Sequence, residues 1–547
     1  MLTPRQSLLI ALTLSASMGC QTPAQHAASA DREVYALVEA RRAALAENPE
    51  VFELAEASGS LRQRLLAGEP APLDPIGLSE CLRIAAESNR DFQNNRESLY
   101  LSALDLTLER YRLGWIPEGS LAYGLDGAGD TSEERDASFG LNFSRLLGDG
   151  GTLLAGIGID TVQWLSGGTG WSTDGLLSLS FTQPLLRGAG RKIVLEPLTQ
   201  AERDLVYQVR SYERYRRTFA VDVASRFYQV LQQMDAANNA SLNFENLKVI
   251  ADRNRALAAA GRLDDLQLDQ VRQDELRSQN NLLSARARLK ATLDDFKLFL
   301  GLPVEVELLF DSRELTLLSE KEPADLGLDE DLVIEVAMQS RLDYQTSLDR
   351  LEDAERRVAI TEDALRAGMN FVASSNTAST NGRPTEFDLR DATWGLGLNL
   401  DLPMDRLPER NAYRSSLISL DSSRREVEEF GDSIRVSLRD ALRDTEISVL
   451  SFKIQRESVV LAERRVESTA LRLNAGRADT RDVLEAEEAL LDSRNAATNS
   501  LVDYQLALLA LYRDAEHLEV VEEGIFLTPI LRPVISSTPS GDTALGQ

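Results

Sequence analysis

Apolar residues stand at Val223, Phe227, Val230, Met234, Ala237, Leu242, Phe244 and Leu247, with spacings of three and four dominant. That is the spacing of a coiled-coil-like helical seam. From 195 to 258 no glycine interrupts the chain and no proline follows Pro197, so one helix of roughly 90 Å is expected at 1.5 Å per residue. Its return partner is expected over 263–300, and a second pair over 409–473 and 479–515. Elsewhere the period changes to two. Phe139, Leu141 and Phe143 alternate with polar or small residues, as do Leu153, Ala155, Ile157 and Ile159. Leu177-Leu179-Phe181 and Leu396-Leu398-Leu400 do the same, ending at Pro184 and Pro403. Each run approaches the about 9–11 residues of a tilted transmembrane strand. A soluble β-domain inserted between helices gives the same alternation, so the pattern alone leaves both readings open.

The two halves of the body resemble each other in three blocks kept in the same order. Ala85, Ser88, Asp91, Phe92 and Gln93 match Ala337, Ser340, Asp343, Tyr344 and Gln345, with Leu113 matching Leu365. Leu177, Leu179, Phe181, Pro184, Arg187 and Arg191 match Leu396, Leu398, Leu400, Pro403, Arg406 and Arg410. Ala260-Gly261-Arg262 with Asp264 matches Ala475-Gly476-Arg477 with Asp479. The body therefore reads as a tandem duplication, each copy running helix, strands, very long helix, glycine break, helix. The expected divisions are a secretory signal over 1–19, an N-terminal extension and linker over 20–75, repeats over 76–308 and 328–520, a linker over 309–327, and a disordered tail over 521–547. The extension shows short helical patterns near 31–46 and 51–66, then a break at Pro70, Pro72 and Pro75.

Arg5, the apolar run Leu8–Leu14 and the small residues before Cys20 form an export signal. Gly19-Cys20 fits a lipoprotein cleavage site, although Ser17 stands where leucine is usual, so Cys20 is the candidate for lipidation. No run of 18 or more apolar residues supplies a membrane-spanning helix, and any span must come from strands in a closed barrel. The net charge of −28 argues against a nucleic-acid partner, whose phosphates call for a basic footprint. Two cysteines, Cys20 and Cys81, and two histidines, His26 and His517, cannot build a disulfide framework or a zinc site of usual spacing. The chain has no HExxH, Walker-type loop or G-x-S-x-G. No cofactor, metal or catalytic residue is expected, and an envelope hydrolase built on paired carboxylates finds no pair singled out in a cleft.

Over roughly 76–520 the sequence resembles the TolC family of outer-membrane efflux proteins. Leu78-Ser79-Glu80 with Ala85, Asn89 and Asp91 resembles the family's opening helix. Phe181-Thr182-Gln183-Pro184-Leu185-Leu186-Arg187-Gly188 resembles its strand-to-helix phrase, and Gly476-Arg477 before Asp482-Val483-Leu484-Glu485-Ala486 resembles its hairpin tip. The resemblance implies a mainly helical chain that is not an enzyme. Three copies would share one membrane β-barrel and one periplasmic α-barrel of duplicated helical hairpins. It would be a passive export duct in the outer membrane of a Gram-negative-type cell, driven by an inner-membrane pump through a periplasmic adaptor. Four strands per copy is the family norm; the alternating stretch around 136–163 leaves six strands, or an extended hairpin outside the membrane, open.

The same resemblance puts a pore gate at Asp482 and Glu485. It puts hairpin tips and adaptor docking at Gly261, Arg262, Leu263, Gly476 and Arg477, and strand-to-helix junctions at Pro184 and Pro403. Tip partners found elsewhere are replaced here by Leu266, Gln267 and Ala478. The competing architecture is a periplasmic coiled-coil scaffold with a soluble β insert.

Overall fold

A computed structural model describes residues 22–44, 52–54, 60–68, 74–128, 132–164, 171–321, 327–380, 383–521 and 524–530. The export signal and Cys20 lie outside these residues, as does the tail from 531. The described chain divides into two compact units, and the division does not follow the repeats. Unit one takes 1–53, 98–209 and 346–427; unit two takes 54–97, 210–345 and 428–547. Each therefore contains parts of both repeats.

Unit one is built on a six-stranded antiparallel sheet: β1 Ile116–Ala128, β2 Ser132–Leu146, β3 Thr152–Trp164, β4 Trp171–Pro184, β5 Gly368–Ala378 and β6 Thr393–Asp401. The strands lie in sequence order, with β1 and β6 at the edges. Six strands thus come from one chain, four from the first repeat and two from the second. Pairing is oblique. Ile116 shares a register line with Ser144, Leu154, Ser180, Ser374 and Gly395, which is six residues short of Asp401 at the corresponding end of β6. Spread over the steps between strands, at about 3.3 Å per residue and 4.8 Å per strand, this stagger is a tilt of roughly 40°. Closed barrels need tilts of that size.

The N-terminal helix α1, Pro23–Arg42, starts in a reciprocal capping box of Thr22 and Gln25, which satisfies two otherwise orphaned donors. It begins earlier than the sequence pattern indicates. Its Tyr35 meets Phe52 and Tyr100 edge to face, and Tyr100 donates to Asp31 over 2.7 Å. Residues 52–54 are not helical; the helix of the second pattern is only Leu61–Leu66, α2.

Two short-then-long helix pairs open the repeats: α3 Leu78–Ser88 with α4 Arg90–Arg112 in the first, and, after α5 Arg191–Val194, α6 Glu196–Ala259, α7 Asp265–Phe299 and α8 Arg313–Glu320, α9 Glu330–Ser340 with α10 Leu342–Ala364 in the second. Gln93 turns back to donate to the Glu87 carbonyl, and Gln345 does the same to Gln339. The duplication is thus visible down to single hydrogen bonds. Within unit one, α6 and α10 are joined by ion pairs: Arg203 reaches Asp353 at 2.6 Å and Glu352 at 3.1 Å, and Arg356 pairs with Glu196 at 3.1 Å.

Unit two carries most of the helical hairpins α6/α7 and α11 Leu407–Asn474 with α12 Thr480–Asp514. Val223, Phe227, Val230, Ala237 and Leu247 are buried as the seam requires, whereas Leu242 is exposed. Polar residues take much of the remaining contact between α6 and α12. Asn239 donates to Asn495 over 3.2 Å, Asn243 to the Glu487 carbonyl over 3.4 Å, and Thr480 meets Asn254 at 3.5 Å. Phe92 packs with Tyr212, Tyr215 and Phe219 around the helix starts. The last helix is followed by a hairpin of β7 Leu518–Val521 and β8 Gly524–Leu527, so ordered backbone passes the boundary at 520 expected from sequence.

Candidate functional site

Register places the alternating residues of all six strands on two chemically distinct faces. Leu121, Phe139, Ile159, Leu177, Phe371 and Leu398 belong to one face, set by the direct pairs Leu121 with Phe139, Phe139 with Ile159, Ile157 with Leu177, and Phe371 with Leu398. The opposite face carries Ser120, Asn142, Ser178, Ser374 and Asn399 by the same period. Much of the apolar face is uncovered: Tyr123, Leu125, Leu179, Trp394, Leu396, Leu398 and Leu400 are all exposed, while Pro384 and Phe387 pack over Gly175. No helix among the described residues is long and apolar enough to cross a membrane, and none contributes to a group of side chains suited to hold a metal.

Pro184 ends β4, paired with Asn370, and the next amide, of Leu185, donates to the Met369 carbonyl. Pro403 stands between β6 and α11. A proline at either place lacks the N–H that would extend the ladder. Arg187 of the first junction meets Asp401 at the end of β6 over 3.2 Å, and Arg406 of the second donates to the Leu365 carbonyl.

The hairpin tips are near-copies. Gly261 and Gly476 both have φ of +69°. Arg262 donates its amide to Leu257, and Arg477 to Arg472, at 2.9 Å in each. Both are Schellman endings, in which a left-handed residue lets the chain satisfy the last helical carbonyls. Arg262 and Arg477 are exposed and Leu263 is half-buried. Arg477 borders an open groove of about 370 Å³ with Arg464, Arg472 and Leu471.

Asp482 and Glu485 lie on the exposed side of α12, opposite buried Val483, Leu484, Ala486 and Glu487. Asp482 accepts from the Asp479 amide over 3.0 Å, a capping bond, and Glu485 pairs with Arg481 at 2.9 Å. The buried amide seam of Asn239, Asn243 and Asn254 was not among the sequence candidates. Its signal was present in the helical spacing of Asn239, Asn243 and Asn246.

A buried charge cluster also escaped the sequence reading. Glu516 bridges Arg214 at 2.6 Å and Arg217 at 2.5 Å, and Arg214 and Arg341 both hold Asp343, at 3.0 and 2.8 Å. Burial raises the Glu516 carboxyl above the usual carboxylate range, against the pull of Arg217 and Arg214. Burial acts on Asp343 in the same sense, but the Arg341 hydrogen bond and the charges of Arg214 and Arg341 hold that carboxyl below it. The difference follows from exposure, 3% for the Glu516 side chain and 26% for Asp343.

No protein-family model and no curated protein matches the sequence. Solved structures do resemble the fold. The CmeC outer membrane channel of Campylobacter jejuni is 15% identical with a TM-score of 0.59, covering 80% of this chain and 85% of that one. The MtrE outer membrane channel of Neisseria gonorrhoeae, in its open state, is 14% identical with a TM-score of 0.56, covering 80% and 88%. CusC, described for the conformational changes of transmembrane channel formation, is 14% identical with a TM-score of 0.58, covering 80% and 91%. The chain has the TolC-like fold of these outer membrane channels.

Proposed function

We propose that this protein is the outer-membrane duct of a tripartite efflux or type I secretion system, acting as a homotrimer and without chemistry of its own. The observation that carries the reading is the sheet: an apolar face whose leucines, tyrosine and tryptophan largely stand exposed, a mainly polar opposite face, a tilt of barrel size and two open edges. In lipid, unpaired edge groups cost several kcal/mol each, so the sheet needs other copies of itself to close. A second surface asks for the same partner. On α11, Ile447, Ile454 and Leu461 recur at seven-residue intervals with Leu450 and Leu471 in phase, all exposed. Such a stripe is half of a coiled-coil seam, and Leu242 with Val249 on α6, and Leu276 with Leu283 on α7, offer exposed positions of the same spacing.

In this reading the tips around Gly261, Arg262, Leu263, Gly476 and Arg477 face a periplasmic adaptor, and the inner-membrane pump supplies the energy. Asp482 and Glu485, repeated by symmetry, line the periplasmic constriction as an acidic ring. Cys20, outside the described residues, carries a lipid anchor in the outer membrane. The scaffold alternative leaves leucines and tryptophan of the sheet in water, which speaks against it. Mass measurement on detergent-extracted protein tests the assembly: three copies per particle are expected, and a water-extracted monomer would overturn it.

A further inference from the structure

The helix-side end of the sheet changes chemistry abruptly. The apolar face runs past the last paired residues into Leu185 and Met404, both exposed, the latter at 99%. Trp115, also exposed, sits at this end with the Arg145 guanidinium 5.5 Å above its ring. Directly after Leu185 and Leu186 come Arg187, Arg191 and Lys192, with no acidic residue between Pro184 and Leu195. Arg191 and Lys192 are exposed. The segment is fixed, because the Gly188 amide donates to buried Asp363 over 2.7 Å and the Gly190 amide to the Asp149 carbonyl over 3.2 Å.

A fully exposed methionine beside exposed leucines is unfavourable in water. Tryptophan and long cations at the border of an apolar band suit the boundary between acyl chains and headgroups. We infer that this rim seats anionic phospholipid headgroups of one membrane leaflet. Leu185 and Met404 enter the acyl layer, Arg191 and Lys192 take the phosphates, and Trp115 lies at their depth. The inference rests on the membrane-channel reading above and adds a lipid preference to it.

The test uses the full chain, reconstituted into vesicles containing phosphatidylglycerol and phosphatidylcholine, with retained lipid counted after extraction in mild detergent. Wild-type protein is expected to retain phosphatidylglycerol preferentially, and Arg191→Gln with Lys192→Gln to lower that preference by about fivefold per charge removed. Arg191→Lys is expected to keep it, and millimolar inorganic phosphate is expected not to compete. Equal retention of the two lipids by wild type, an unchanged preference in the double variant, or full competition by phosphate would each overturn the inference. Should channels form and conduct while no lipid preference appears, only this inference falls. Failure to enter vesicles at all removes the channel reading with it.

Discussion

Glu516 closes the last helix of the second repeat in the conformation that Gly301 adopts at the end of the first, φ of 62° against 78°. The amide after each completes the same Schellman bond, Leu302 to Lys297 and His517 to Tyr512. At Gly301 a Cβ would stand 2.1 Å from the Ser88 carbonyl oxygen, so only glycine fits. Glu516 bears the backbone strain that a non-glycine residue meets there and is held by Arg214 and Arg217.

Glu516→Gly therefore removes strain worth about 1 kcal/mol but leaves half-buried Arg217 without its carboxylate and Arg214 with Asp343 alone, at about 3–5 kcal/mol. A lower midpoint of thermal unfolding is expected. A rise would mean that the strain outweighs the ion pairs.

The cluster also has a pH signature with two signs. Asp343 titrates below its usual range, so its contribution is present above about pH 4 and is lost as pH falls through its depressed folded pKa. Asp343→Asn is expected to flatten the acid limb of the stability profile. Glu516 titrates above its usual range, so the folded state loses stability as pH rises from the unfolded carboxylate value to its raised folded pKa. Glu516→Gln is expected to remove that decline. Unfolding midpoints measured across pH check both, and identical profiles for wild type and variants would contradict the assignment.

The two faces of the sheet respond oppositely to charge. Leu398→Arg puts a cation on the apolar face, where the cost near a bilayer midplane is about 2–4 kcal/mol, and is expected to reduce insertion into vesicles. Ser374→Arg, on the polar face, is expected to insert normally and change conductance. The reverse pattern would invert the barrel.

At the proposed gate, Asp482 caps α12 as well as standing on its exposed side, so alanine would confound capping with charge. Asp482→Asn with Glu485→Gln keeps the hydrogen-bonding shape and removes the charge. Lower cation selectivity in single-channel recordings is expected. Unchanged selectivity would take both residues out of the pore.

The long helices and their glycine-ended tips were legible in the sequence, because 3.6-residue periodicity and a left-handed glycine leave direct marks. Four of the strands were also legible. The runs of β1 and β5 were not: the apolar side of β5 reads Met369, Phe371, Ala373, Ser375, too weak an alternation to stand out. The tilt of the sheet exists only in register, which single strands do not carry. Leu242 fits the apolar spacing of the α6 seam yet stands exposed, and the asparagines in the contact carry no apolar signal that a periodicity could show. The role of Glu516 depends on arginines about 300 residues away, beyond the reach of any local pattern.

The measurement closest to the central claim is planar-bilayer conductance of the detergent-extracted protein, with particle mass taken on the same sample. Stable, cation-selective channels from a three-copy particle are predicted. A water-soluble species that gives no conductance would contradict the account and return the strands to a soluble domain between helices.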